Sequence, residues 1–243
     1  MESSATAGAD NIQPVDSRFL MRVFYAFTAL ALLSVAISTG GKALGRSIAM
    51  AGHTDDLSPR EIVIGNNVFA VPANAIRFDR ARRDGVAARL DLYLRWPQMT
   101  GYTKDARDEF DNAGASKSIM FVSFTDKMMS RDMSGRFDPI YRSLIVTPGT
   151  PIEGGLDEYL FTEKSGYLDE TLVVAQHPEG NPFVARCLSG SAAQQSLAPC
   201  ERDLLVGEEL TLSYRFPREL LAAWRSLDAA VLAKAGEYLR TGR

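Results

Sequence analysis

An uncharged run from Val23 to Gly41 constrains this chain more than any other feature of its sequence. Arg22 and Lys42 bracket the run, and no second uncharged run of comparable length follows it. As a helix, residues 23–41 would extend for roughly 28 Å, close to the hydrocarbon thickness of a bilayer. The sequence therefore predicts one transmembrane helix, with the lipid bilayer as a partner. Its bulky apolar side chains are Val23, Phe24, Phe27, Leu30, Leu32, Leu33, Val35 and Ile37.

Two alternatives to a membrane anchor stay open. A cleaved signal peptide would need small residues at the positions that signal peptidase reads, and Ala36-Ile37-Ser38 and Ser47-Ile48-Ala49 both supply them. A buried core helix would also tolerate an uncharged run. The 22 residues before the run include Glu2 and Asp10 and are longer than the usual basic start of a signal peptide, which favours the anchor.

The orientation of the predicted helix depends on the two cysteines, because basic residues lie on both sides of the run and their count does not decide it. Cys187 and Cys200 flank a stretch of small and polar residues that a disulfide would close. Disulfides persist in oxidising compartments. We therefore predict a single-pass protein of the inner membrane whose large domain is periplasmic. Two free thiols in a cytosolic domain are the alternative.

The sequence predicts four segments. Residues 1–22 form a disordered cytoplasmic tail, residues 23–41 the transmembrane helix, residues 42–59 a linker rich in small residues, and residues 60–243 one α+β domain.

The predicted domain is a mainly antiparallel sheet with a mid-chain helix and a long C-terminal helix. Alternation of apolar and polar residues is strongest in residues 89–96, which indicates a strand with one buried face. Apolar side chains at three-and-four spacing predict the mid-chain helix over residues 133–146 and the chain's longest helix after Pro217. The remaining predicted strands are residues 61–64, 68–71, 118–124, 158–163, 168–176, 182–187 and 209–216.

Composition and motifs exclude several functions. The chain has 27 Lys+Arg against 30 Asp+Glu, and this net charge of -3 argues against a nucleic-acid partner. Two cysteines and two histidines are too few for a cluster-type metal site, and we predict neither a metal nor a cofactor. His53 falls in the predicted linker, with no partner that the sequence places beside it. No catalytic motif is present, so enzymatic activity stays open but is not predicted.

Four arginines crowd one short loop and form a candidate anion-binding site: Arg77, Arg80, Arg82 and Arg83. Guanidinium groups match the geometry of phosphate and carboxylate, so anionic lipid headgroups or cell-wall acids are candidate ligands. Asp79 and Asp84 lie among them, and internal pairing within the loop is the alternative that the sequence favours.

Three stretches resemble a group of uncharacterised, single-span, membrane-anchored envelope proteins of alphaproteobacteria: residues 71–78 (VPANAIRF), residues 89–102 (RLDLYLRWPQMTGY) and residues 183–228. The resemblance implies an envelope location and no activity. We therefore predict a membrane-anchored periplasmic binding or scaffolding module, an accessory subunit that binds another envelope protein. An envelope enzyme acting on a cell-wall or lipid substrate is the alternative.

Overall fold

The computed structural model describes residues 17–50, 52–176 and 180–240. The chain divides into two compact units, Met1–Ala51 and Gly52–Arg243. Residues 1–16, most of the predicted disordered tail, lie outside the described residues.

One long helix, α1 (Ser17–Met50), makes up the described part of the first unit. Among the described residues, no helix combines the length and the apolar character that a membrane crossing requires. The prediction of a transmembrane helix over residues 23–41 is therefore wrong, and the predicted single-pass anchoring in the inner membrane is left without support. The prediction relied on the absence of charged residues, but a membrane-spanning helix also needs high hydropathy. Polar hydroxyl residues such as Thr28 and Ser34 lower the hydropathy of this run.

Helix α1 also includes the first half of the predicted linker, residues 42–50. The second half belongs to the second unit, where the amides of Ala73 and Asn74 donate to the carbonyls of Ser58 (3.0 Å) and Asp56 (2.8 Å).

The second unit has an α+β fold. Its strands are β1 (Pro59–Ile64), β2 (Asn67–Pro72), β3 (Gly85–Val86), β4 (Arg89–Arg95), β5 (Ile119–Asp126), β6 (Thr150–Ile152), β7 (Leu156–Leu160), β8 (Glu170–Ala175), β9 (Phe183–Leu188), β10 (Cys200–Val206) and β11 (Leu210–Phe216). Its α-helices are α2 (Arg107–Phe110), α3 (Gly190–Gln195) and α4 (Trp224–Tyr238).

The strands form two sheets. The large sheet has eight strands in the order β4-β5-β11-β10-β9-β8-β7-β6, and each neighbouring pair is antiparallel. The small sheet has the order β2-β1-β3. The turn between β1 and β2 requires Gly65, whose φ is +55°, and a Cβ there would lie 2.8 Å from Oδ1 of Asp126.

One face of the large sheet carries the main core. Leu90, Leu92 and Leu94 of β4 alternate with polar residues and point to this face, as the sequence predicts. Helix α4 covers the face with Trp224, whose indole packs 4.8 Å from the ring of Phe183. Residues 218–223 form a 3₁₀ helix that leads into α4. The predicted C-terminal helix is thus present, although α1 is longer.

The segment predicted as the mid-chain helix covers one end of the other face. Residues 133–146 contain turns and a short 3₁₀ helix at Tyr141–Ser143, so the prediction of an α-helix there is wrong. Pro139 interrupts the segment, since proline removes a helix hydrogen bond and clashes with the preceding turn. Met133 and Phe137 nevertheless pack on the β8–β9 end of the sheet. Among the described residues of the second unit, His53 and Phe110 cover Tyr93 of β4, and the part of this face beside Asp91, Ser123 and Ser213 stays open.

Candidate functional site

The open face of the sheet holds the candidate site, which we call the polar groove. Its first row of side chains runs across β5, β11 and β10, because the strand register aligns Phe121 with Arg215, and Arg215 with Glu201. Paired residues of antiparallel strands point to the same face, so these three side chains are neighbours.

The floor of the polar groove consists of small hydroxyl residues. The next row aligns Asp91 with Ser123, and Ser123 with Ser213. Small side chains leave a hollow of about 460 Å³ above the sheet. The loop at Arg77 borders the hollow on one side and residues 195–198 border it on the other.

Backbone hydrogen bonding holds Arg77 at the edge of the groove. Ile76 forms a bridge with Leu92 of β4, and the amide of Arg77 donates to the carbonyl of Asp91 at 3.0 Å. The guanidinium of Arg77 lies 4.5 Å from the centre of the Phe121 ring, at cation–π distance. Arg77 is therefore placed over the first row while its side chain stays exposed.

Two further arginines line the groove. Arg89 forms an ion pair with Asp91 at 2.7 Å. Arg215 is exposed and donates to the Ser196 hydroxyl at 3.3 Å. Glu201, the register partner of Arg215, forms its ion pair with Arg186 instead, also at 3.3 Å.

The other arginines of the predicted cluster do not reach the groove. Arg82 is turned inward, with a side chain only 7% exposed, and it donates to the carbonyl of Ile76 at 3.1 Å and to Asp79 at 3.2 Å. Arg80 lies over the ring of Phe78, and Arg83 is exposed. The structure thus brings only Arg77, among the four, to the candidate site.

A second cluster of titratable groups surrounds His53. Its Nδ1 lies 3.0 Å from the Tyr93 hydroxyl and its Nε2 lies 3.1 Å from the Asp111 carboxylate. The imidazole also stacks on Tyr102, with ring centres 4.7 Å apart. Burial raises the pKa of Tyr93, which opposes its use as a nucleophile. These contacts join residues 52–58 to the sheet.

Cys187 and Cys200 form the predicted disulfide, which confirms that pairing. They are register partners on β9 and β10, so the bond lies within the large sheet. Among the described residues there is no group of three or more His, Cys, Asp or Glu side chains that could hold a metal ion.

Sequence reasoning missed Phe121 and Arg215 as site residues. A signal was present: in β11, Leu210, Leu212 and Tyr214 alternate with Thr211, Ser213 and Arg215, which marks the second set as the open face. The pairing of this strand with β5 is a long-range property that alternation does not reveal.

No protein-family model and no curated protein matches the chain. Solved structures that resemble it include the immunity protein Smlt3025 of the Stenotrophomonas maltophilia type IV secretion system, which is 15% identical, covers 78% of this chain and 96% of its own, and has a TM-score of 0.49. The iron-regulated outer membrane lipoprotein FrpD of Neisseria meningitidis is 8% identical, covers 75% of this chain and 96% of its own, and has a TM-score of 0.41. Similarity of this extent carries no inference about function.

Proposed function

We propose that the unit Gly52–Arg243 is a binding module that acts outside the cytoplasm, as an accessory component of an envelope assembly, and holds a partner protein in the polar groove. The observation that carries the proposal is the groove itself, an open hollow whose exposed arginines Arg77 and Arg215 have no carboxylate partner among the described residues. Exposed, uncompensated guanidinium groups favour binding of carboxylates or phosphates.

The disulfide supports the location. A bond between Cys187 and Cys200 persists only where thiols are not kept reduced. Alkylation of intact cells tests this point. We expect both cysteines to resist a membrane-permeant alkylating reagent until a reductant is added. Labelling of both without reductant would place the domain in a reducing compartment.

Site-specific photo-crosslinking tests the groove as the binding surface. Leu197, at the edge of the groove, and Leu232, on α4 outside it, are matched because both are exposed leucines, at 45% and 42%. We expect a photo-reactive phenylalanine at position 197 to give a discrete adduct that Arg215→Gln abolishes, and the same residue at position 232 to give none.

Two results would contradict the proposal. An adduct of the same size from position 232 would show that the crosslink does not report the groove. An adduct from position 197 that survives Arg215→Gln would show that the groove arginines do not hold the partner.

We also propose that the chain is related to the alphaproteobacterial envelope proteins that it resembles. The segments that carry the resemblance, residues 71–78, 89–102 and 183–228, include Arg77, Arg89 and Arg215 of the groove. An enzyme would instead be expected to use the Asp111–His53–Tyr93 contacts, and the burial of the Tyr93 hydroxyl supports a structural role for them.

A further inference from the structure

We propose that the groove recognises an acidic peptide segment of its partner, with one carboxylate on Arg77, a second on Arg215 and an apolar side chain between them on Phe121 and Leu197. This inference rests on the proposed function, since it names the chemistry that the groove would bind.

The charges that line the groove predict a negatively charged ligand. Its lining holds the arginines Arg77, Arg89 and Arg215 and the carboxylates Asp91 and Glu201. Both carboxylates have an arginine partner, Asp91 with Arg89 at 2.7 Å and Glu201 with Arg186 at 3.3 Å. Among the described residues, Arg77 contacts the rings of Phe78 and Phe121, and Arg215 donates to the Ser196 hydroxyl, but neither has a carboxylate partner. The groove therefore carries two guanidinium groups that can each take a carboxylate.

The two groups lie near the same aromatic side chain. Arg77 lies over the Phe121 ring at 4.5 Å, and Arg215 is the register partner of Phe121 on the neighbouring strand. Two acidic residues close together in one peptide can therefore pair with both arginines, and an apolar residue between them can contact Phe121 and Leu197.

The apolar part of the groove favours a peptide over a bare anion. Leu197 is 45% exposed and lies in the lining together with Phe121, so the cations and the apolar contacts share one hollow. A peptide carries acidic and apolar side chains on one backbone. It also carries amide groups, which the hydroxyls of Ser123 and Ser213 on the floor can bind.

The two available arginines favour a ligand with two separate negative charges. The phosphodiester of a phospholipid headgroup carries one negative charge and would leave either Arg77 or Arg215 without an anionic partner. Two carboxylates on one peptide can pair with both arginines. We therefore favour acidic protein segments over phospholipid headgroups.

Fluorescence anisotropy with a defined probe tests the inference. The probe is a dye-labelled, amidated peptide in which pairs of glutamates flank a leucine, and its matched control replaces each glutamate with glutamine. We expect the acidic peptide to bind and the glutamine peptide not to bind. We also expect rising salt to weaken binding, because the contacts are partly exposed ion pairs.

Variants of the full chain assign the binding to the groove. Arg77→Gln and Arg215→Gln should each weaken binding about tenfold, which is typical of losing one charge-assisted contact. Arg80→Gln is the matched control, since it removes the same charge from the same loop outside the groove. We expect it to change the affinity by less than about twofold.

Three outcomes would overturn the inference. Binding of the glutamine peptide with equal affinity would remove the role of the carboxylates. Equal effects of Arg80→Gln and Arg77→Gln would show that non-specific electrostatic attraction accounts for the binding. Tighter binding to vesicles of anionic phospholipid, abolished by Arg77→Gln, would replace the peptide with a lipid headgroup. In each case a groove-dependent photo-crosslink from position 197 would still stand, so failure of the ligand chemistry is distinct from failure of the groove as a binding surface.

Discussion

Arg202 is a buried charge whose three guanidinium nitrogens all have hydrogen-bond partners. Its side chain is 6% exposed and forms an ion pair with Asp228 at 3.0 Å. One terminal nitrogen donates to the Ser134 hydroxyl at 2.9 Å and to the carbonyl of Val184 at 3.0 Å. The Tyr214 hydroxyl donates to Asp228 at 2.7 Å, and burial, followed by the nearby Asp228 charge, raises the pKa of Tyr214. Removing Arg202 would leave the largely buried carboxylate of Asp228 without its ionic partner.

Arg202→Met should therefore lower the free energy of unfolding by about 3 to 5 kcal/mol, measured by urea denaturation. The control is Arg142→Met, because the Arg142–Asp138 pair is exposed and should contribute less than about 1 kcal/mol. Adding Asp228→Leu to Arg202→Met should recover part of the loss, since no charge would then stay unpaired. A loss no larger than that of Arg142→Met would contradict this account.

Glu109 should make the free energy of unfolding depend on pH in the acid range. The Ser118 hydroxyl donates to its carboxylate and Arg95 forms an ion pair with it at 2.6 Å, and these contacts lower the pKa of Glu109 below its ordinary value. A carboxyl group whose pKa is lowered by folding contributes stability above its unfolded pKa of about 4.3, and the contribution is lost as the pH falls through the folded pKa.

Glu109→Gln should thus be less stable than the wild type at about pH 6, and the gap should narrow as the pH falls toward about 3. Urea denaturation at a series of pH values measures the gap. The control is Glu237→Gln on the exposed surface of α4. A gap that stays constant over this range would show that the carboxylate charge of Glu109 does not stabilise the fold.

At the scale of elements, local patterns predicted most strands and failed where buried positions carry unexpected residues. The alternation in β4 identified its buried face, and the small residues Gly65 and Asn66 identified the β1–β2 turn. Strand β10 was missed because Arg202 occupies one of its buried positions and hides the alternation. The mid-chain helix was predicted from spacing alone, although Pro139 argues against it.

The candidate site was only partly predictable for a related reason. Arg77 belongs to a conspicuous cluster of arginines, so the sequence marked it. Phe121 and Arg215 come from strands far apart in the sequence, and only the register of the sheet brings them to Arg77. Likewise, the contact between His53 and Asp111 joins residues 58 positions apart.

Asp203 should fix the segment that replaces the predicted helix. Its carboxylate accepts from the amide of Met133 at 2.5 Å and from Arg136 at 2.7 Å. Asp203→Ala should therefore speed amide hydrogen exchange in residues 133–145, while exchange in β4 and β5 stays unchanged. Asp138→Ala, at an exposed ion pair in the same segment, is the control. Equal exchange in both variants would show that the apolar contacts of the segment hold it without Asp203.

At the scale of the whole unit, the large sheet consists of two four-stranded halves with a narrow junction. One half is β4-β5-β11-β10 and the other is β9-β8-β7-β6. Only two register pairs join them, Cys200 with Cys187 and Glu201 with Arg186, whereas β10 and β11 share seven. Beyond the junction the strands separate, and Arg202 of β10 bonds to the carbonyl of Val184 on β9. The disulfide is therefore one of few links between the strands of the two halves, which also share one apolar core.

Replacing both cysteines by alanine should loosen the junction. The bond joins residues 13 positions apart, and a loop of this size predicts a loss of about 3 kcal/mol in the free energy of unfolding. For a unit of this size, that loss corresponds to a fall in melting temperature of roughly 6 to 12 °C. Calorimetry on the double variant Cys187→Ala/Cys200→Ala measures it, with chemically reduced wild type as a second form of the same test.

The positions at which hydrogen exchange rises show whether the disulfide joins the two halves of the sheet or only closes the loop between β9 and β10. If the bond holds the two halves together, hydrogen exchange in the double variant should rise in β9 and β10 on both sides of the junction and in the contacts of Arg202, while the β4–β5 pair keeps its protection. If the bond only closes the loop that contains α3, exchange should rise in residues 189–199 and nowhere else. The narrow junction predicts the first result, because few other contacts connect the halves there.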